Sequence, residues 1–84
     1  MILPNKYVPL KESYIGISSL ILDTLRGESL HVDELWGNYK IKYSNFTPSY
    51  IKFVHVLTFM FSCGMISYTE RGEIFNENLK LEDN

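Results

Sequence analysis

The sequence predicts a mainly α-helical domain with a small β-hairpin at its end. Three segments have the apolar periodicity and the end signals of helices. These helices are expected over about residues 13–26, 32–41 and 47–64. Behind them, Met65–Thr69 and Glu73–Phe75 have the pattern of short strands, with Gly72 in the turn between them. Three helices and a two-stranded wing are the plan of a winged helix-turn-helix. A plain three-helix bundle with a separate hairpin is the alternative.

Length and composition indicate one folded domain over residues 1–84. A chain of 84 residues supports a single small core, and 45% hydrophobic and 14% aromatic content is typical of a folded protein. Residues 1–11 are expected to form an extended N-terminal arm, and residues 77–84 a polar tail. The single cysteine, Cys63, forms no intrachain disulfide, which predicts a reducing, cytoplasmic location. The apolar-rich stretch 51–66 is interrupted by polar residues and is short for a membrane span.

The charge of the chain disfavours a nucleic-acid binder. The net charge is −2 and the pI is near 5.6, whereas such proteins usually carry a basic footprint. In a winged helix the third helix enters the major groove, and here its expected solvent side has Lys52 as its one reliable positive charge. The wing has Arg71, but Glu70 and Glu73 beside it repel phosphate. A DNA-binding transcriptional regulator therefore stays an alternative, not the favoured function.

No set of residues predicts catalysis or metal binding. His31 and His55 fall in different predicted helices without a cysteine cluster, whereas a zinc site takes about four ligands. His55 and Cys63 are two helical turns apart, too far for a nucleophile and its base to form a hydrogen bond. The glycines occur singly, without a phosphate-binding motif. We therefore expect no catalytic residue, no metal, no cofactor and no small-molecule substrate.

The third helix has more apolar surface than a domain of this size is expected to cover. Thr47 is the expected N-cap, Pro48 the first helical residue, and Gly64 the residue just past the end. A helical wheel at 100° per residue assigns one arc to the core. That arc consists of Tyr50, Ile51, Val54, Leu57 and Phe61.

The other apolar side chains of this helix are the candidates for contact with a partner protein. The candidates on the helix are Phe53, Val56, Phe59 and Met60, together with Lys52. Phe59 lies on the polar arc of the helix and is expected to be the exposed anchor. Phe53 has a second option, which is burial under the wing. A self-associating module that buries the same patch on a second copy is a further alternative.

The N-terminal arm supplies three more candidates. Pro4 and Pro9 favour an extended backbone. Ile2, Leu3 and Tyr7 make the arm too apolar for a free tail. We therefore expect these three side chains to lie along the domain or along a partner.

The order of several short motifs resembles the middle component of ABC-type ATPase three-component systems. The motifs are Ile2-Leu3-Pro4 with Lys6, then Glu34-Leu35-Trp36, then Phe53-Val54 leading to Gly64-Met65-Ile66. The resemblance spans almost the whole chain. One departure is His31, which stands where a serine or threonine cap is expected at the start of the second helix.

This resemblance implies a function without catalysis. The systems it points to are bacterial gene sets related to the Lamassu group of antiphage and antiplasmid defences. It implies a winged-helix-like adaptor whose companions are an SMC-like ABC ATPase and an effector such as a nuclease. The resemblance implies that this subunit contacts DNA only indirectly, through the complex. The hypothesis is that the third helix and the N-terminal arm dock on the ATPase or the effector.

Overall fold

The computed structural model describes residues 13–77, which form three helices and a two-stranded antiparallel hairpin. The elements are α1 (Tyr14–Leu25), α2 (Val32–Lys42), a 3-10 turn (Ser44–Phe46), α3 (Tyr50–Ser62), β1 (Ile66–Tyr68) and β2 (Ile74–Asn76). The predicted winged helix-like fold class is confirmed. The expectations for the N-terminal arm, including Ile2, Leu3 and Tyr7, lie outside the described residues.

The starts of α1 and α2 follow from their capping residues. The Ser13 hydroxyl accepts a hydrogen bond from the Gly16 N–H at 3.0 Å and so satisfies one free donor of the first turn. At the start of α2 the Glu34 carboxylate accepts from the His31 N–H at 3.1 Å. Glu34 therefore forms the reciprocal half of a capping box, as the sequence predicts.

The start of α3 lies two residues later than predicted. Its N-cap is Ser49, whose hydroxyl accepts from the Lys52 N–H at 3.1 Å. The Thr47 hydroxyl instead donates to the Tyr43 carbonyl at 3.0 Å and ties down the turn before the helix. The expectation that Thr47 is the cap and Pro48 the first helical residue is therefore wrong.

Gly64 ends α3 as predicted. Its φ is +75°, a left-handed conformation that glycine adopts without strain. The turn lets the Met65 N–H reach the Met60 carbonyl at 2.9 Å, which satisfies one of the free acceptors at the helix end. The chain leaves α3 in the direction that begins β1.

The hairpin is joined to the connection between α1 and α2. β1 and β2 pair with Tyr68 opposite Ile74. On its other side, the Ile74 N–H donates to the Leu30 carbonyl at 2.7 Å, and the Leu30 N–H donates to the Ile74 carbonyl at 3.0 Å. Leu30 thus supplies a one-residue third strand, which the sequence analysis missed. The alternative of a separate hairpin beside a helical bundle does not fit this pairing.

One apolar core joins all three helices and both strands. It consists of Ile17, Ile21, Leu25, Leu35, Tyr39, Phe53, Val56, Leu57, Met60, Ile66 and Ile74. The predicted core face of α3 is largely wrong. Of its five residues only Leu57 is buried, whereas Tyr50 and Ile51 are 44% and 69% exposed. The actual core face is rotated around the helix axis and consists of Phe53, Val56, Leu57 and Met60.

Tyr39 places a hydroxyl in the core without a hydrogen-bond partner among the described residues. Burial also raises the pKa of this phenol. An unsatisfied buried hydroxyl costs about 1–3 kcal/mol.

We expect Tyr39→Phe to keep the fold and to raise the free energy of unfolding by about 1 kcal/mol, as measured by urea denaturation. A matched control is Tyr43→Phe, which removes a hydroxyl that donates to Asp23 and should lower stability. A loss of stability in Tyr39→Phe would contradict this account.

A group of three surface side chains, which we call the clasp, joins the ends of α1 and α2; it consists of Asp23, Lys42 and Tyr43. Lys42 Nζ lies 2.7 Å from the Asp23 carboxylate, and the Tyr43 hydroxyl donates to the same carboxylate. The hydrogen bonds from Lys42 and then Tyr43 hold the pKa of Asp23 below its usual value of 3.8. The hydrogen bond to Asp23 raises the pKa of Tyr43 to about 12.

The clasp predicts a defined pH dependence of stability. Because the pKa of Asp23 is lowered on folding, its contribution is complete above 3.8 and is lost as the pH falls through the folded pKa. Because the pKa of Tyr43 is raised, its contribution is complete below 10.0 and is lost as the pH rises through about 12. Asp23→Asn should cost less than about 1 kcal/mol at neutral pH, since the pair is exposed. Urea midpoints of both proteins should converge at the two pH extremes; a constant difference would contradict the clasp.

Candidate partner-binding surface

Three of the predicted partner residues are not on the surface. Phe53, Val56 and Met60 are fully buried in the domain's own core. The expectation that Val56 and Met60 are exposed is therefore wrong, whereas burial was one of the two options for Phe53. For Phe53 the physical reason is α2, whose Trp36 and Tyr39 ring centroids lie 4.7 and 5.4 Å from the centroid of the Phe53 ring. Phe53 is thus buried, and the α2 rings that it contacts are not those of the wing, under which its burial was predicted. These side chains offer no area to a partner while the domain is folded.

Phe59 and Lys52 lie on the flank of α3 that faces α1. The Phe59 ring is half-buried and meets the Tyr14 ring edge-on at a centroid distance of 5.5 Å. Lys52 is also half-exposed on this side. Phe59 is therefore covered in part by α1 and is not the free anchor that its position on the polar arc predicted. Contact of Phe59 and Lys52 with a partner stays a prediction.

The opposite flank of α3 carries a row of apolar side chains that continues onto α2 and the wing. We call it the α3–wing surface; it consists of Trp36, Tyr50, Ile51, Val54, Phe61 and Tyr68. Tyr50, Val54 and Phe61 are four and seven residues apart, a spacing that aligns them along one side of a helix. Ile51 extends the row toward solvent and is 69% exposed.

A pair of aromatic rings in contact lies at each end of the α3–wing surface. At the N-terminal end of α3, the Tyr50 ring meets the Trp36 ring at 5.3 Å. At the C-terminal end, the Phe61 ring stacks on Tyr68 at 4.3 Å, and Tyr68 is 55% exposed. Such ring pairs add about 0.5–1.5 kcal/mol beyond area burial and hold each other in place. Tyr50, Ile51 and Tyr68 of this surface are exposed, and its other three side chains are half-buried.

The polar side chains of α3 offer little to a nucleic acid. Thr58 and Ser62 donate their hydroxyls back to carbonyls of their own helix at 3.0 Å each. Lys52 and His55 are the basic side chains of α3, and neither joins a basic cluster with the wing, where Glu70 and Glu73 flank Arg71. Without several phosphate contacts the main source of DNA affinity is missing.

Residues 13–77 contain neither a group of metal ligands nor a helix that could span a membrane. Within residues 13–77, no three or more His, Cys, Asp and Glu side chains are grouped so that they could hold a metal ion. Within the same range, no helix combines the length and the apolar character that crossing a membrane takes.

Comparison with known proteins places the chain in a family. Residues 3–76 match the family described as ABC-three component (ABC-3C) system Middle Component 6. The chain belongs to this family. As a middle component, it is one part of an ABC three-component system, which agrees with the resemblance found in its motifs. The match ends at the last residue of β2, so it includes the three helices and two strands of residues 13–77. No significant match is found among curated proteins or among solved structures.

The sequence did not predict the α3–wing surface, because its residues on α3 were assigned to the core. The predicted core arc of α3 contains four of the six residues of this surface, namely Tyr50, Ile51, Val54 and Phe61. The polar residues of α3 carried the missing signal. His55 and Ser62 lie on the side of the helix opposite Phe53, which is the center of the observed core face.

Proposed function

We propose that this middle component is a cytoplasmic, non-catalytic adaptor between the SMC-like ABC ATPase of its system and an effector. In this proposal the α3–wing surface binds the ATPase. Rearrangement of the ATPase, driven by ATP or DNA, then reaches the effector through the adaptor. The system itself is proposed to be a Lamassu-related bacterial defence against phages and plasmids.

The observation that carries the proposal is the partly exposed apolar row of the α3–wing surface, in which Tyr50, Ile51 and Tyr68 are exposed. Clustered exposed apolar side chains mark protein-binding sites, and aromatic residues are enriched at the energetic centers of interfaces. The ABC ATPase is the occupant proposed because the family description specifies an ABC system.

A positive charge at the edge of the α3–wing surface suggests an acidic side chain in the partner's binding site. Lys40 Nζ lies 5.2 Å from the centroid of the Trp36 ring, at the α2 end of the surface. An acidic side chain of the ATPase beside its apolar contact would therefore meet a lysine already held over the ring. Specificity and association rate would come from this pair, and affinity from the apolar row.

The attachment of the wing supports transmission of movement. Phe61 of α3 stacks on Tyr68 of β1, and Ile74 of β2 is hydrogen-bonded to Leu30. The two ends of the α3–wing surface therefore belong to one packed unit. A partner that moves this surface moves the whole domain.

The proposal predicts a large effect of one exposed substitution. Ile51→Glu should weaken capture of the purified ATPase at least tenfold, because it places an unpaired carboxylate at the center of an apolar contact. Ile51 is 69% exposed, so the domain should still fold. The measurement is a titration by biolayer interferometry with the ATPase immobilised.

A matched control separates this surface from general loss of apolar area. Ile15→Glu makes the same change at an exposed isoleucine on α1, outside the α3–wing surface, and should bind as the unchanged protein does. Circular dichroism confirms that both variants are folded. Undiminished ATPase binding by folded Ile51→Glu would remove the α3–wing surface from this contact.

A further inference from the structure

The flank of α3 that faces α1 carries a second group of accessible side chains. The Tyr14 and Phe59 rings meet edge-on there, with 5.5 Å between their centroids. Tyr14 is still 39% exposed, and the next residue of α1, Ile15, is 48% exposed. Cys63 follows Phe59 by four residues, about one helical turn, and is exposed as well. We call Tyr14, Phe59 and Cys63 the α1–α3 flank.

The chain enters α1 beside this flank. Ser13 is the N-cap of α1, so the segment before it is joined to the helix directly next to Tyr14. An extended chain covers at most about 3.6 Å per residue, so the Cα atoms of Leu10 and Tyr7 lie within about 14 and 25 Å of the Tyr14 Cα. Both side chains can therefore reach the Tyr14–Phe59 ring pair. The segment, residues 2–10, contains the apolar side chains Ile2, Leu3, Tyr7, Val8 and Leu10.

The family match includes this segment. The matched residues begin at residue 3 and end at residue 76. Residues 3–12 are therefore part of the pattern that places the chain in its family, whereas the polar residues 77–84 are not. An apolar segment that belongs to this pattern, and that starts at an open apolar flank, is the natural candidate to cover it.

Covalent attachment favours this segment over any separate molecule. A segment joined through a few residues acts at an effective concentration in the millimolar range, and closing so short a loop costs little entropy. Pro4 and Pro9 restrict the backbone of the undocked segment, which reduces the entropy that docking removes. Even a small apolar contact is therefore enough to hold the segment on the flank.

We propose that the α1–α3 flank is the docking site of the chain's own N-terminal segment, residues 2–10. Tyr7, Val8 and Leu10 cover the exposed edge of the Tyr14–Phe59 ring pair. The contact is independent of the proposed ATPase contact, because the α3–wing surface lies on the opposite flank of α3. One apolar flank of α3 is then closed by the chain itself, and the other stays available to a partner protein.

Cross-linking to Cys63 tests the contact in the full chain. Val8→Cys adds a second thiol to the native one, and a short bismaleimide joins the two thiols where they lie close together. We expect an intrachain product, identified by intact mass, that forms at least tenfold faster in buffer than in denaturing urea. In the matched control, Cys63→Ser combined with Ile51→Cys moves the second thiol to the opposite flank and should abolish this gain. Equal rates for folded and denatured Val8→Cys would overturn the proposal, as would products that join two copies.

A double-mutant cycle measures the same contact without added thiols. The segment variant carries Tyr7→Ser, Val8→Ser and Leu10→Ser together, and the flank variant is Phe59→Ala. Each should lower the urea midpoint, and their combination should lower it by less than the sum of the two shifts, because both remove one contact. Ile51→Ala on the opposite flank is the matched control, and its shift should add to that of the segment variant. Additive shifts for Phe59→Ala would overturn the proposal.

Discussion

Phe53→Ala is expected to lower the free energy of unfolding by about 3–5 kcal/mol. The Phe53 ring is fully buried and is surrounded by the rings of Trp36, Tyr39 and Tyr50, at 4.7 to 6.5 Å between centroids. Its removal leaves a cavity where α2 and α3 meet. A domain of this size has a total stability on the order of 5–10 kcal/mol, so much of it would be lost.

The measurement for Phe53→Ala is urea denaturation followed by circular dichroism. Ile51→Ala is the matched control, since it shortens an exposed side chain two residues away and should stay within about 0.5 kcal/mol of the unchanged protein. The pair separates core from surface on one helix. If Phe53→Ala unfolded at the same urea concentration as the control, the position of the core face of α3 would be contradicted.

Ile74→Ala is expected to cost about 2–5 kcal/mol for the whole domain, not for the wing alone. Ile74 is fully buried and is hydrogen-bonded through its backbone to Leu30. The substitution removes apolar contacts between the wing and the helices. We therefore expect the helical signal and the wing to unfold together at a lower urea concentration.

The readout is a comparison of helical circular dichroism with amide hydrogen exchange at Leu30 and Ile74. Arg71→Ala, an exposed change in the wing turn, serves as the control and should shift stability by less than about 0.5 kcal/mol. Loss of protection in the wing with an unchanged helical midpoint would mean that the hairpin is an independent appendage.

The order of elements was predictable because each element carries local signals. Ser13, Glu34 and Gly64 mark helix ends through hydrogen bonds or backbone conformations that depend on near neighbours. The prediction that Thr47 caps α3 was wrong for the same kind of local reason. Its hydroxyl had a second partner nearby, the Tyr43 carbonyl, and Ser49 was free to cap α3.

The core face of α3 was harder to predict because the helix is apolar on nearly every side. Periodicity then allows several faces of the helix to be the core face, and the packing of neighbouring elements determines which face is buried. α2 packs its rings on Phe53, and Phe61 is left to pair with Tyr68 of the wing. The candidate surface followed from this choice, so the prediction of apolar excess on α3 led to the wrong residues. The Leu30–Ile74 pairing had no local signal, since a single residue forms the third strand.

The same pairing also bears on when the domain folds during translation. Leu30 and Ile74 are separated by about half of the chain, and ribosomes deliver a chain from its N-terminus. α1, α2 and α3 therefore emerge before the residue that fills the last part of their core. Until β2 has been made, the nascent helices keep apolar area open to chaperones or to premature contacts. The complete core is thus expected to form only after β2 has been synthesised.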